Sequence, residues 1–281
     1  MPTPNRPQSW HDCDTDIRQH VEEMVEVLRA ELDPNLTGIY LHGSLAMGSF
    51  YRPKSDIDVL VVVRELLWPE RRRAVAERLA ALASTRPIIG FIELSVILAT
   101  DARSVPAPMP YQVHYSEEWH DRIVAGKVDY ASDGTDLDLI AHVTHQLQRG
   151  VTLHGTPHHE VFGTPPWSAY LDAVMADFRW LLDGDHVVET PYYAVLNICR
   201  TLQLVAEQNA GLKVRVHSKD EGGEWGLSNL PTEHHALISL ALAAYRSGAP
   251  VTVQRSHFGT VEWDAERLLA LRDYARSRLT A

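Results

Sequence analysis

Two carboxylates separated by a single residue are the strongest chemical signal in this sequence. Asp56 and Asp58 begin an aliphatic run that ends at Val63. In a β-strand, side chains two residues apart point to the same face, so we expect these carboxylates to project together. Neighbouring anions repel one another, and their burial is costly unless a cation lies between them. Oxygen ligands of this kind suit Mg²⁺, which takes further ligands from substrate phosphates.

A Gly-Ser pair lies upstream of the two carboxylates. Gly43 and Ser44 follow the apolar segment 36–41, and a loop of about ten residues separates them from Ser55. A glycine lets the backbone approach a ligand closely, and an adjacent amide and hydroxyl can donate hydrogen bonds to a phosphate. We therefore predict that Gly43, Ser44 and Ser55 bind the phosphates of a nucleotide.

A third carboxylate, Glu93, lies in the middle of the next apolar run, residues 87–98. Glutamate is almost never fully buried without a partner. Glu93 is therefore either a surface acid on an edge strand or a third carboxylate on the strand beside Asp56 and Asp58. We favour the second interpretation, in which Glu93 joins the metal ligands.

The segment from Tyr111 to Lys127 is rich in aromatic and acidic side chains, with Glu118 and Trp119 at its centre. Aromatic faces stack on rings and carboxylates pair with ammonium groups, so the mixture suits a polar, cationic, ring-shaped ligand. Ordinary packing explains the aromatic residues about as well.

The elements that position these residues follow from hydrophobic periodicity and from Pro and Gly breaks. For the N-terminal part, the pattern predicts an α+β domain, a mixed sheet with flanking helices. Its predicted helices are at 14–31, 69–84 and 135–149, and its predicted strands are at 36–41, 55–63 and 87–98. Gly and Pro cluster between residues 152 and 166, so we divide the chain into domains 1–155 and 156–281. The second domain predicts an all-α helical bundle with helices at 167–182, 192–209, 219–230, 232–247 and 263–279.

Composition narrows the class of partner. The formal net charge of −11 argues against a surface that follows a nucleic-acid backbone and favours a small, cationic acceptor. The two cysteines, Cys13 and Cys199, predict neither a disulfide framework nor a thiolate metal site. No apolar run reaches the ~20 residues that span a bilayer, and residues 1–10 do not resemble a signal sequence. We expect a cytoplasmic monomer.

The combination of a strand, Gly43-Ser44, a loop and Ser55-Asp56-Ile57-Asp58 resembles the signature of the nucleotidyltransferase superfamily, which includes DNA polymerase beta-like enzymes. Four further stretches are similar to the C-terminal helical domain of the streptomycin and spectinomycin adenylyltransferases: residues 192–200, 218–225, 230–231 and 244–245. Glu118-Trp119 also resembles a substrate-loop Glu-Trp of that family. The resemblance implies ATP and Mg²⁺ as co-substrate and cofactor, and transfer of AMP to a hydroxyl of an aminoglycoside or aminocyclitol antibiotic.

The resemblance also implies roles for individual residues. Asp56 and Asp58 are expected to hold metal and nucleotide, and Glu93 to be a metal ligand and the base. Arg200 and Lys219 are expected to contact the ATP phosphates. Trp119 and Glu118 are expected to shape the acceptor site.

One position departs from the family pattern. In the family, an acidic residue of the helical domain contacts the drug, and the corresponding position in this sequence is Thr190. Glu189 is next to it, so Glu189 is the predicted acceptor contact from the helical domain. Two alternatives remain open. The first alternative is a nucleotidyltransferase that modifies another small molecule, a protein or a tRNA. The second is a nucleotide-binding sensor that has lost catalysis.

Overall fold

A computed structural model describes residues 5–213, 215–247 and 262–279, and these divide into two compact units. The unit that we call the sheet unit consists of Gln8–Phe50 and Ser55–Tyr170. The helical unit consists of Met1–Pro7, Tyr51–Lys54 and Leu171–Ala281, as far as these ranges are described. The predicted domain boundary at residues 155/156 stays a prediction.

The sheet unit alternates strands and helices, as the sequence predicts. Its elements are α1 (Thr15–Leu32), β1 (Leu36–His42), α2 (Gly43–Met47), β2 (Ile57–Val63), α3 (Pro69–Ala83), β3 (Ile92–Leu98), α4 (Ala99–Ser104), β4 (Met109–Tyr111), β5 (Val113–Tyr115), α5 (Glu117–Val124), β6 (Gly134–Asp136), α6 (Leu139–Arg149), β7 (Val151–Gly155) and α7 (His158–Val161). The next helix, α8 (Trp167–Leu182), crosses the boundary between the units.

A mixed five-stranded sheet forms the centre of this unit, in the order β5-β3-β2-β1-β7. Strands β2 and β3 are parallel, and the other neighbouring pairs are antiparallel. Strands β4 and β6 form a separate antiparallel pair. The predicted fold class is therefore confirmed.

The two faces of the sheet have different neighbours. Val59, Val61 and Val63 of β2 belong to one hydrophobic core cluster with the buried sides of α1 and α3. Asp58 and Leu60 alternate with these valines along the strand, so their side chains point to the opposite face of the sheet. On that face His42 of β1 contacts a side chain of α6, which is amphipathic. The aliphatic half of β2 is therefore covered on both sides, whereas its N-terminal end stays partly open.

Two predictions of local structure are wrong. The strand predicted at 87–98 begins at Ile92, because the residues before it form a loop in which Gly90 packs against the Ser55 carbonyl. A Cβ at Gly90 would lie 2.2 Å from that carbonyl oxygen. The helix predicted at 135–149 begins at Leu139, because Gly134–Asp136 pairs with β4 instead.

The helical unit is built from α8, α9 (His186–Glu189), α10 (Pro191–Asn209), α11 (Lys219–Asn229), α12 (Thr232–Arg246) and α13 (Ala265–Leu279). Helices α10 and α11 approach closely because glycines of α11 face α10. A Cβ on Gly222 would lie 2.8 Å from the Arg200 backbone, and one on Gly226 would lie 2.7 Å from the Cys199 sulfur. Tyr51 is only 3% exposed and belongs to the core cluster of this unit. In the part of the chain that the structure describes, no helix is both long and apolar enough to cross a membrane.

Candidate active site

The Gly-Ser pair begins a short helix directly after β1. Gly43 has φ = +66°, a left-handed conformation that favours glycine. A Cβ at this position would lie 1.7 Å from Oδ2 of Asp58. Glycine is therefore required here for two reasons, the backbone conformation and the close approach of the Asp58 carboxylate. Ser44 follows on α2, and its carbonyl accepts hydrogen bonds from the amides of Gly48 and Ser49.

The register of the sheet brings the predicted acids to neighbouring strands. Asp58 pairs with His42 of β1 on one side and with Glu93 of β3 on the other. Paired residues on adjacent strands share a face, so Asp58 and Glu93 project together. The prediction that Glu93 lies on the strand beside Asp58 is confirmed. The alternative of an edge strand is wrong, because β3 lies between β2 and β5.

Asp56 lies just before β2, and its position is fixed by a hydrogen bond. The amide of Phe91 donates to Oδ1 of Asp56 over 2.7 Å. Gly90 makes this contact possible, because a Cβ there would lie 2.8 Å from the same oxygen. The loop before β3 therefore holds the first carboxylate of the Asp-x-Asp pair.

Oxygen donors from Asp56, Asp58 and Glu93 have the chemistry that Mg²⁺ prefers. Among the described residues, however, no three His, Cys, Asp or Glu side chains are grouped so that they could hold a metal ion as they stand. The donor types and the shared face of Asp58 and Glu93 fit magnesium, and the assignment of these acids as its ligands stays a prediction.

Glu93 has the electrostatic surroundings of a base. Its side chain is 37% exposed. Burial raises the pKa of Glu93 above its ordinary value, and the negative charges of Asp56, Asp138 and Asp136 raise it further. His142, whose Nε2 lies 3.8 Å from Oε1 of Glu93, acts in the opposite direction. A carboxylate with a raised pKa is a stronger proton acceptor at neutral pH.

A histidine cluster at this site was missed by the sequence reasoning. The rings of His42 and His142 lie 4.7 Å apart, and His42 is only 2% exposed. Burial lowers the pKa of His42 well below its ordinary value, and the neighbouring His142 and His145 add to the effect. The lowered pKa of His42 favours its neutral form. The signal was present in the sequence, since His142 and His145 are three residues apart on a helix and share a face.

The aromatic and acidic segment forms a compact group in the sheet unit. Tyr111, His114 and Trp119, which we call the aromatic corner, have ring centroids 5.4 to 6.2 Å apart. Trp119 and Glu118 lie on α5, and the Arg122 guanidinium lies 4.5 Å above the Trp119 ring. The role of Trp119 and Glu118 as acceptor contacts stays a prediction.

The predicted residues of the helical unit lie on three successive helices. Arg200 is on α10, Lys219 is the first residue of α11, and Glu189 is the last residue of α9. Ser218 and Glu221 form a capping box that fixes the start of α11. The Lys219 ammonium lies 5.0 Å from the centroid of the Tyr193 ring. These contacts define the position of Lys219 within the helical unit, and the phosphate contacts of Arg200 and Lys219 stay predictions.

Comparison with protein families gives two matches. Residues 21–91 match the family model of the nucleotidyltransferase domain. Residues 160–269 match the family model of the aminoglycoside adenylyltransferase C-terminal domain.

Individual proteins resemble the chain over most of its length. An aminoglycoside (3'') (9) adenylyltransferase of Shigella flexneri is 25% identical over 234 residues, which cover 82% of this chain and 86% of the relative. A spectinomycin 9-adenylyltransferase of Enterococcus faecalis is 23% identical over 93% of this chain and 95% of the relative. Among solved structures, a spectinomycin adenyltransferase from Enterococcus faecalis with ATP and spectinomycin matches with a TM-score of 0.74 and 22% identity, over 94% of this chain and 99% of that chain. This last likeness shows the fold.

Proposed function

We propose that this chain, which belongs to the aminoglycoside adenylyltransferase family of nucleotidyltransferases, transfers AMP from ATP to a hydroxyl group. The hydroxyl group belongs to an aminoglycoside or aminocyclitol antibiotic. Streptomycin and spectinomycin are the first candidates for the acceptor. The observation that carries the proposal is the pairing of Asp58 with Glu93 on parallel strands beside the left-handed Gly43.

The chemistry is a displacement at the α-phosphorus of ATP. The acceptor hydroxyl oxygen forms a bond to that phosphorus, the bond to the β-phosphate oxygen breaks, and pyrophosphate leaves. Glu93 accepts the hydroxyl proton, and its raised pKa suits this role. When bound by Asp56, Asp58 and Glu93, Mg²⁺ would neutralise charge on the phosphate oxygens.

Other residues bind and orient the two substrates. Gly43, Ser44 and Ser55 bind ATP phosphates through backbone amides and hydroxyl groups, and the positive charges of Arg200 and Lys219 bind them as well. Trp119, Glu118 and Glu189 contact the acceptor, which we propose to be cationic because carboxylates of the sheet unit surround Glu93.

The setting of the reaction is also a proposal. We propose that the protein acts in the cytoplasm as a monomer and does not bind nucleic acid. The net charge of −11 and the free thiols of Cys13 and Cys199 support this setting. We retain residues 155/156 as the boundary between a nucleotidyltransferase domain and a helical domain, and the match of the C-terminal family model from residue 160 supports it.

The test is pyrophosphate release by the purified protein with ATP and Mg²⁺ against a panel that includes streptomycin and spectinomycin. We expect release that depends on one of the drugs, with a mass gain of one AMP on that drug. Asp58→Asn is the inactive control, because it keeps the size of the side chain and removes the charge. Release without any drug dependence, or equal release by Asp58→Asn, would refute the proposal.

A further inference from the structure

His114 of the aromatic corner lies on the same face of the sheet as Glu93. Ser95 is two residues after Glu93 on β3, so both side chains point to one face. Ser95 pairs with His114 of β5, and its hydroxyl lies 2.9 Å from Nδ1 of His114. His114 is therefore displaced from Glu93 by two residues along the strand, roughly 6.6 Å, and by one strand spacing of about 4.8 Å. A small ring-shaped acceptor can reach both residues.

The two-stranded sheet fixes the backbone position of a carboxylate residue, Asp136, relative to Tyr111. Tyr111 of β4 pairs with Gly134 of β6, and Met109 pairs with Asp136. A Cβ on Gly134 would lie 2.1 Å from the Tyr111 ring, so only a glycine lets β6 pack this closely against the ring. Asp136 therefore lies opposite Met109, on the same face of the two-stranded sheet as Tyr111.

The charge of Asp136 acts on both the aromatic corner and the base. Burial raises the pKa of Tyr111, and the charge of Asp136 raises it further. Burial lowers the pKa of His114, and Asp136 opposes that shift. Asp136 also contributes to the raised pKa of Glu93. Asp136 is thus within electrostatic reach of the two rings and of the carboxylate that we propose as the base.

The protein already holds one cation against the corner. The guanidinium of Arg122 lies 4.5 Å above the Trp119 ring, and its charge lowers the pKa of Tyr111. An aromatic face with carboxylates nearby attracts cations in general, and Arg122 shows that this corner does so with a guanidinium group. One face of the Trp119 ring is covered by Arg122, and this ring contacts the Tyr111 and His114 rings in T-shaped arrangements.

We infer that Asp136, together with Tyr111 and His114, binds an ammonium or guanidinium group of the acceptor next to the hydroxyl that Glu93 deprotonates. This inference rests on the proposed function and adds to it the residue that recognises the positive charge. Asp136 is a binding residue in this scheme and takes no part in proton transfer. It selects acceptors that carry an amine close to the reactive hydroxyl.

The test compares two aspartates that accept the same kind of hydrogen bond, from the amide two residues later. Oδ1 of Asp136 accepts a hydrogen bond from the amide of Asp138, and Oδ1 of Asp129 accepts one from the amide of Ala131. The substitutions Asp136→Asn and Asp129→Asn both keep an oxygen for this bond and remove one negative charge. Asp129 is exposed and its hydrogen-bond partners lie in its own loop, so Asp129→Asn is the matched control.

Calorimetry would measure the binding of streptomycin and spectinomycin in the presence of Mg²⁺ and a non-hydrolysable ATP analogue. We expect Asp136→Asn to weaken binding of the drug by about 10- to 100-fold, the range for loss of a charged hydrogen-bond partner. Binding of the ATP analogue should be unchanged, and Asp129→Asn should bind the drug as the wild type does. An N-acetylated form of the same drug should bind weakly to the wild type and lose little further affinity in Asp136→Asn.

The outcomes separate this inference from the proposed function. If the wild type adenylylates a drug and Asp136→Asn binds that drug as tightly, the inference is refuted and the function stands. If the wild type binds neither drug, the inference is refuted as well, and the pyrophosphate assay decides on the function. A loss of drug affinity confined to Asp136→Asn, together with the reduced effect of N-acetylation, supports the inference even if turnover is slow.

Discussion

Replacement of Gly43 by alanine tests whether the close approach of Gly43 to Asp58 matters for catalysis. Gly43 has φ = +66° and faces the Asp58 carboxylate. Gly48, five residues later, has φ = +77°, and among the described residues the atom within 4 Å of a Cβ there is Cβ of Ser9, at 3.6 Å. The two alanine variants therefore share the backbone penalty and differ in the steric clash.

The size of each effect follows from these distances. A left-handed conformation costs an L-residue about 1–2 kcal/mol, and this cost applies to both variants. In Gly43→Ala the new Cβ would lie 1.7 Å from Oδ2 of Asp58, whereas carbon contacts are optimal near ~3.5 Å. The carboxylate must therefore move by roughly 1.5 Å or more. A displacement of about 1 Å at a reacting centre can cost about 10²-fold in rate, so we expect a loss of at least about 10²-fold in kcat/KM.

The assay is steady-state pyrophosphate release, with thermal unfolding measured on the same samples. Gly48→Ala should lose about 1–2 kcal/mol of stability and keep its kcat/KM. Gly43→Ala should lose more stability and its activity. If Gly43→Ala turns over within about threefold of Gly48→Ala, the contact with Asp58 does not position the carboxylate and the reasoning is wrong.

Three further predictions follow from burial and packing. Glu93→Gln should lower kcat by about 10²- to 10⁴-fold in the pyrophosphate assay if Glu93 is the base, and wild-type turnover by the variant would exclude that role. The same variant should unfold at a higher temperature than the wild type at pH 7 in EDTA, because the raised pKa of Glu93 means that its ionised form destabilises the fold. This difference in Tm should close as the pH falls below 4.5, the ordinary pKa of glutamate, and a difference that persists at lower pH would contradict the assignment. Gly222→Ala should destabilise the protein by about 1–3 kcal/mol in denaturant unfolding, because a Cβ would lie 2.8 Å from the Arg200 backbone, whereas Ser228→Ala on an exposed face of the same helix should be nearly neutral.

The parts of the fold with strong periodicity could be predicted from the sequence. Strand β1 was predicted at 36–41 and is found at Leu36–His42, and α3 was predicted at 69–84 and is found at Pro69–Ala83. The position of Asp58 at the open end of a buried strand follows from the same pattern. The predicted helices of the C-terminal part agree with α10 to α13 within two residues at each end.

The rest depends on contacts between distant residues. The register that pairs Asp58 with Glu93 is fixed by the packing of two strands, which no local pattern encodes. Strand β6 has three residues, too few for a period, and its pairing with β4 overrode the apparent helical pattern. The contact between His42 and His142 joins residues a hundred positions apart. Such contacts become visible only when the chain is folded.

The membership of Tyr51–Lys54 in the helical unit has a consequence for how the protein is made. Tyr51 donates a hydrogen bond to Asp220, and its ring contacts the ring of Tyr245. During synthesis, Tyr51 leaves the ribosome long before α11 and α12, so its partners Asp220 and Tyr245 have not yet been synthesised. A fragment that ends at residue 155 would leave this buried side chain uncovered, in the loop that joins Ser44 to Asp56. The N-terminal part alone therefore lacks the residues that cover Tyr51. The loop acquires these contacts only after the C-terminal helices have left the ribosome.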